Sequence, residues 1–330
     1  MNTGKPMLGT TIYSFTNEWL HRMYTLEEEI QKVAELDLGP AVEIVGFQSI
    51  REYPDVSDET ADTFRRALDK YGLIPSCLGG NCDVGRDPKR RMTDDELVAY
   101  VERQIVSAQK LGIPVLRIQY FVGPKVFERL APLAEKAGVQ VACELHAPLW
   151  SGHPEVAELR ECFDRLGTEL VGFVPDFSTS MTSPPNLNWQ HMRELGVSEE
   201  AIGIAREVWF SDRPIPEKFG ALAEAAGRLG LSDVARAQMF TTITMFGRAP
   251  VGQLADLLPY TKHIHGKFYE VDASGTEPSI PYGELFALLL EKGFSGTISA
   301  EWEGHAFTEE PVGFEQVKAW KAMCSRLVAG

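Results

Sequence analysis

Four side chains able to hold a divalent cation sit in or just after short apolar runs: Glu144 in VQVACEL (139–145), Asp176 at the end of LVGFVPD (170–176), His265 in TKHIHGKF (261–268) and Glu301 in TISAEW (297–302). An unpaired ionised group in such a run costs on the order of several kcal/mol, so each needs a partner. Three carboxylates and an imidazole brought together repel one another unless a cation lies between them. Oxygen and imidazole donors without thiolate suit Mn²⁺ first, with Mg²⁺, Zn²⁺ or Co²⁺ as alternatives. The competing reading of any one carboxylate here is a helix cap or a salt-bridge partner.

His146 follows Glu144 by two residues, and in an extended strand residues i and i+2 share a face. A histidine beside a cation can be neutral near pH 7 and act as a general base. Its other readings are a fifth ligand and a hydrogen-bonding support for the ligands. A cation next to a base is suited to removing a proton α to a carbonyl, because the cation stabilises the enolate oxygen as it forms. The same alternation aligns His263, His265 and Lys267 on one strand, and Arg117 with Gln119 on another. Lys267 reads either as a catalytic group that neutralises a developing oxyanion or as an ion-pair partner of Glu303. Arg117, Gln119 and Gln48 are candidates for holding sugar hydroxyls, with a buried Arg117–carboxylate pair, for instance to Glu43, as the alternative.

The elements that must position these groups alternate. Strand patterns at 7–15, 41–47, 73–78, 114–119, 139–145, 170–176, 261–268 and 297–302 are separated by helical periods such as 26–37, 58–71, 93–111, 125–137 and 283–292. Asp58 and Thr93 stand where N-caps are expected, and Gly112 and Gly293 where C-caps are expected. Eight β-then-α units in series predict a parallel sheet closed into a (β/α)8 TIM barrel, one domain over 1–330. A doubly wound open sheet is the alternative, but no GxGxxG follows the first strand and no GxxxxGK[ST] occurs. Residues 177–260 are too long for an ordinary connection and carry helical patterns near 198–209, 215–228 and 232–240. They read as a helical insertion after strand six, either a lid or docking surface, or an elaboration on the outer ring.

Lys plus Arg number 32 against 47 Asp plus Glu, a formal charge of −15, which argues against nucleic acid and anionic membrane surfaces. Five scattered cysteines without CxxC spacing read as reduced thiols, and no apolar run approaches membrane length, so a cytoplasmic location is expected. His21, His153, His191 and His305 default to surface or packing roles, although His153 and His305 follow strand ends.

CELHAP (143–148), VPDF (174–177), HIHGKF (263–268), SAEWEG (299–304) and VEIVGFQS (42–49) resemble the metal-site strands of the xylose-isomerase-like barrels of sugar isomerases and epimerases. YSFTNEW (13–19), GFQSIR (46–51), PSCLGGNCD (75–83) and LRIQY (116–120) are most similar to the catalytic alpha subunits of bacterial C-glycoside deglycosidases. The resemblance implies metal ligation by Glu144, Asp176, His265 and Glu301, with His146 as catalytic base and His263 supporting the ligands rather than being one; Lys267 is the second catalytic candidate, and Gln48, Arg117, Gln119, His263 and Glu303 are the candidates for substrate contact. Many relatives carry a histidine two or three residues after the strand-six Asp, whereas Asp176 is followed by Phe-Ser-Thr-Ser. The implied reaction is cleavage of a C–C glycosidic bond in a C-glycoside already oxidised at sugar position 3, by a metal-dependent lyase working with a smaller beta subunit. An isomerase, epimerase or dehydratase acting on a free sugar or inositol is the second reading, and a non-catalytic barrel that binds a sugar or a partner is the third. An abasic-site nuclease would need a richer metal cluster and a basic groove.

Overall fold

Apolar runs bounded by helix signals cannot fold back on themselves as hairpins, and each must reach a parallel neighbour across its helix. The computed structural model describes residues 4–82, 85, 88–119 and 122–329. Asp83 and Tyr120, which end two of the segments quoted above, lie outside them. The strands are β1 (Met7–Thr11), β2 (Ala41–Val45), β3 (Ile74–Gly80), β4 (Val115–Ile118), β5 (Gln140–Leu145), β6 (Val171–Pro175), β7 (Ile264–Phe268) and β8 (Thr297–Trp302). They pair in parallel in the order β6-β5-β4-β3-β2-β1-β8-β7. Bridges from Phe173 to Thr261 and from Asp176 to His265 bring β6 against β7 and nearly close the ring. The architecture is a (β/α)8 TIM barrel.

The helices are α1 (Thr16–Leu20), α2 (Leu26–Glu35), α3 (Gly46–Ser49), α4 (Asp58–Tyr71), α5 (Asp94–Leu111), α6 (Pro124–Ala137) and α7 (Pro154–Leu166), then α8 (Asn186–Glu194), α9 (Glu199–Phe210), α10 (Ile215–Arg228) and α11 (Asp233–Thr244), and finally α12 (Tyr282–Glu291) and α13 (Gly313–Ala329). Their starts follow from capping chemistry. Thr25 with Glu28, and Thr93 with Glu96, form reciprocal capping boxes on α2 and α5. Gly112 ends α5 at φ 72, a left-handed conformation that glycine adopts without Cβ strain.

Three expectations shift. The first strand stops at Thr11 rather than Phe15, because the Thr11 side chain accepts the Tyr13 N–H and turns the chain into a 3-10 segment, Ile12–Phe15. Ser57, not Asp58, caps α4, its hydroxyl accepting from Thr60. Lys292 caps α12 and Gly293 follows at φ 67. Helices α8–α11 lie between β6 and β7, and Met245, directly after α11, reaches the cavity described next.

Candidate active site and metal centre

Parallel strands of a barrel all end on one face, so late-strand side chains converge there. Glu144 ends β5 but one, Asp176 directly follows β6, and His265 and Glu301 lie inside β7 and β8. All four are buried, and ligating atoms of the four lie within 4.8 Å of one another. His265 Nδ1 is 2.7 Å from Glu144 Oε1 and 3.1 Å from Glu301 Oε2. Lys267 Nζ stands 3.3 Å from Asp176 Oδ2 and 3.1 Å from Glu301 Oε2, and also pairs with Glu303.

The donor set fits a divalent cation. Glu43, Glu144, Asp176, Glu301 and Glu303 are buried carboxylates facing two permanent cations, Arg117 and Lys267, together with His265. Negative charge is in excess. Asp176 Oδ2 and Glu301 Oε2 are buried without a hydrogen bond, although Lys267 stands close to both. Burial pushes the Asp176 carboxyl up, and the Lys267 ammonium only partly opposes it. Burial likewise opposes ionisation of Glu144, but the Arg117 guanidinium and the His265 hydrogen bond hold it well below the usual range. For Glu301, burial is outweighed by His265 and Lys267. The His265 and Lys267 cations are held against burial by the carboxylates around them.

Local structure fixes each group. Asp176 Oδ1 accepts the Ser178 N–H at 2.6 Å, capping the 3-10 turn Phe177–Thr179. The Phe-Ser-Thr-Ser segment after Asp176 is thus a backbone-anchored turn. Gln253 Nε2 donates to Thr179 Oγ1 at 3.2 Å, while its Oε1 accepts from the Ser151 amide at 2.9 Å, tying together the loops after β5 and β6. The Lys267 carbonyl accepts the Tyr282 hydroxyl at 2.8 Å, and Trp320 Nε1 donates to that hydroxyl at 2.6 Å.

A cavity of about 400 Å³ opens over the cluster. Its polar wall includes Glu144, His146, Arg117, Lys267, Glu301 and Glu303, while Val45, Phe47, Leu149 and Met245 line the other part. His146 Nδ1 lies 2.8 Å from the Ala147 carbonyl, so this nitrogen donates and Nε2 is left as the basic one. Arg117 pairs with Glu144 at 3.6 Å rather than with Glu43. A Cβ at Gly79 would stand 2.9 Å from Arg117 Nη2, so glycine makes room for the guanidinium. Tyr13 donates to Glu303 Oε1 at 3.2 Å from the same wall. Gln119 is exposed and also lines the cavity.

Two sequence candidates for substrate contact lie elsewhere. Gln48, in α3, is buried with Nε2 unbonded, and its neighbours Val45 and Phe47 form the wall instead. The chain turns into α3 at Gly46, before the expected strand end at 47, and this carries Gln48 away from the cavity wall. His263 precedes β7, is buried, and meets Glu43 and Ser299. His153 precedes α7, and His305 packs edge-on against Tyr13; neither lines the cavity. Glu43 is the group that sequence reasoning passed over as anything but a partner for Arg117. Its signal is the lone charge in the apolar strand AVEIV.

The model of the xylose isomerase-like TIM barrel family matches residues 31–324. The chain is 36% identical to a 3'-dehydrocarminate deglycosidase alpha subunit of Microbacterium sp, over 98% of this chain and 96% of the relative. It is also 36% identical to a C-glycoside deglycosidase alpha subunit of Microbacterium trichothecenolyticum, over 91% of this chain and 84% of the relative. Among solved structures, a D-psicose 3-epimerase crystallised in the presence of D-fructose superposes with a TM-score of 0.57 at 14% identity, covering 98% of this chain and all of the other, a likeness of fold.

Proposed function

The chain belongs to the xylose isomerase-like TIM barrel family, and from that premise we propose that it is the catalytic alpha subunit of a metal-dependent C-glycoside deglycosidase. The substrate is a C-glycoside carrying a ketone at sugar position 3. The observation that carries this reading is the placement of His146, its Nδ1 committed to a carbonyl, in one cavity with Glu144 and Glu301, which belong to the buried cluster they form with Asp176 and His265. The names of the relatives at 36% identity support the substrate class, and the word alpha in them supports a second, smaller beta subunit.

Glu144, Asp176, His265 and Glu301 would hold the cation, Mn²⁺ by the balance of oxygen and imidazole donors. When bound, it supplies charge stabilisation for the ketone oxygen as that oxygen becomes an enolate. His146 Nε2 takes the proton from sugar C2, and the electron pair of that C–H bond becomes the C2–C3 double bond of the enolate. The pair then returns to form C1–C2, restoring the ketone, and the C1–aglycone bond breaks toward the aglycone carbon, which takes up a proton. Atoms balance without water. Arg117 and Glu303 face the sugar hydroxyls, and Lys267 offsets negative charge beside the oxyanion.

The test is incubation of the chain, alone and co-expressed with a smaller subunit, with a 3-oxo-C-glucoside while free aglycone is followed. Release that depends on added Mn²⁺ and disappears in His146→Ala is expected. Absence of release from the metal-loaded pair overturns the reading.

A further inference from the structure

We propose that Glu43 is a positioning residue of the cation site: its two carboxylate oxygens hold His263 and His265 together and turn Nδ1 of His265 toward Glu144 and Glu301. The inference rests on the cation site of the proposed function, but it concerns a residue on the opposite side of the imidazole.

Glu43 is fully buried in β2. Its Oε1 lies 3.0 Å from His265 Nε2 and its Oε2 lies 3.0 Å from His263 Nε2. Both separations are ordinary N–H···O lengths. His263 Nε2 is also 2.9 Å from Ser299 Oγ, and Ser299 is the β8 residue in register with His265. Thus both nitrogens of His265 are committed, Nε2 to Glu43 and Nδ1 to the carboxylate cluster at 2.7 and 3.1 Å. With Nε2–H held by Glu43, Nδ1 is the nitrogen whose lone pair a cation would take in place of its contacts to Glu144 and Glu301. Beside Glu43 the β2–β3 register shifts, Val42 facing Pro75 and Glu43 facing Cys77, with Ser76 of β3 as the extra residue.

A glutamine at position 43 offers one oxygen and one N–H₂ where two acceptor oxygens stood. It can accept from one imidazole only, and its N–H₂ meets the N–H of the other. One ring must then turn, or carry its hydrogen on the other nitrogen. Supporting carboxylates of this kind affect metal affinity by roughly 10–100-fold.

The experiment compares wild type, Glu43→Gln and Glu43→Asp. Mn²⁺ dissociation constants come from electron paramagnetic resonance titration, metal content per chain from elemental analysis, and ligand geometry from the visible spectrum of the Co²⁺ form. Circular dichroism of the metal-free proteins controls for folding. One Mn²⁺ per wild-type chain is expected, with about 10–100-fold weaker binding and a changed Co²⁺ spectrum in Glu43→Gln, and an intermediate constant in Glu43→Asp. If Glu43→Gln fails to fold, Glu43→Asp decides: a constant weakened several-fold supports the role, and a wild-type constant overturns it. A wild-type constant and spectrum in folded Glu43→Gln overturn positioning and leave the cation site standing. Two Mn²⁺ per wild-type chain overturn it too, by making Glu43 a ligand of a second ion. No Mn²⁺ on the wild type removes the cation site itself, and this role with it.

Discussion

Two residues, Glu144 and His146, stand on one end of β5 and in its continuation, yet they face different chemical demands. Glu144 is buried and paired with Arg117 and His265, whereas His146 keeps partial exposure and borders the cavity. Their loss should therefore separate. Glu144→Gln removes an ionised donor, so Mn²⁺ content measured after dialysis should fall at least tenfold, and turnover with it. His146→Ala should retain full metal content while turnover drops by about 10²–10⁴, the usual worth of a positioned base. Equal metal loss in both variants would make His146 a ligand and not the base. The meeting of Glu144, Asp176, His265 and Glu301 in one cluster was legible because a charge inside an apolar run demands a partner, and the run ends told where it would lie. Glu43 carries the same signal, but nothing in sequence order says that β2 faces β7 across the barrel. His263 obeyed strand alternation, yet its extra two residues of depth place it against Glu43 rather than in the cavity.

At the scale of elements, helix starts are set by side-chain chemistry that is local and therefore readable. The Thr93–Glu96 box satisfies two backbone donors reciprocally at the head of α5. Replacing Thr93 with Ala should lower unfolding free energy by about 1 kcal/mol, seen as a lower midpoint in chemical denaturation. Turnover and metal content should not change, because the cap is exposed and is not part of the cavity wall. Strand and helix types along the barrel were legible for the same reason of periodicity and capping: 58–71, 215–228 and 297–302 coincide with α4, α10 and β8. The misplacements occur where a single polar contact outweighs the pattern. Thr11 ends β1 four residues early by capping the next turn, and the short α3 rises where apolar alternation continued to Phe47. Helices α7, α8 and α13 escaped a reading organised around strands; α7 begins at Pro154, a favoured first helical residue, and α13 at Gly313, whose amide donates to Glu18 at 2.7 Å.

Across the whole molecule the buried carboxyls divide into two groups with opposite pH responses. Around the barrel mouth Glu43, Glu144 and Glu301 are held below the ordinary range, despite burial, by His265, Arg117 and Lys267. Their contribution is present above the unfolded value and is lost as the pH falls through the lowered one. Glu29 of α2 behaves in the reverse way. Burial, with the Glu18 charge, pushes it up to about 8, and its Oε1 is buried without a hydrogen bond. The folded chain therefore binds a proton here that the unfolded chain has released above about 4.5. Stability falls as the pH rises from that value toward 8, and the full cost is felt above it. Glu29→Gln keeps the shape and removes the titration. Relative to wild type, its unfolding free energy should gain nothing below pH 4.5, rise through neutrality, and level off above pH 8, with a gain on the order of 5 kcal/mol. Urea denaturation of both proteins from pH 4 to 9 measures this difference directly. A difference that does not vary with pH would mean that the Glu29 carboxylate is stabilised in the fold by water or a partner side chain. Because α2 lies on the outer ring, this gain should appear without a matching change in Mn²⁺ content or aglycone release, so stability and chemistry titrate separately in one chain.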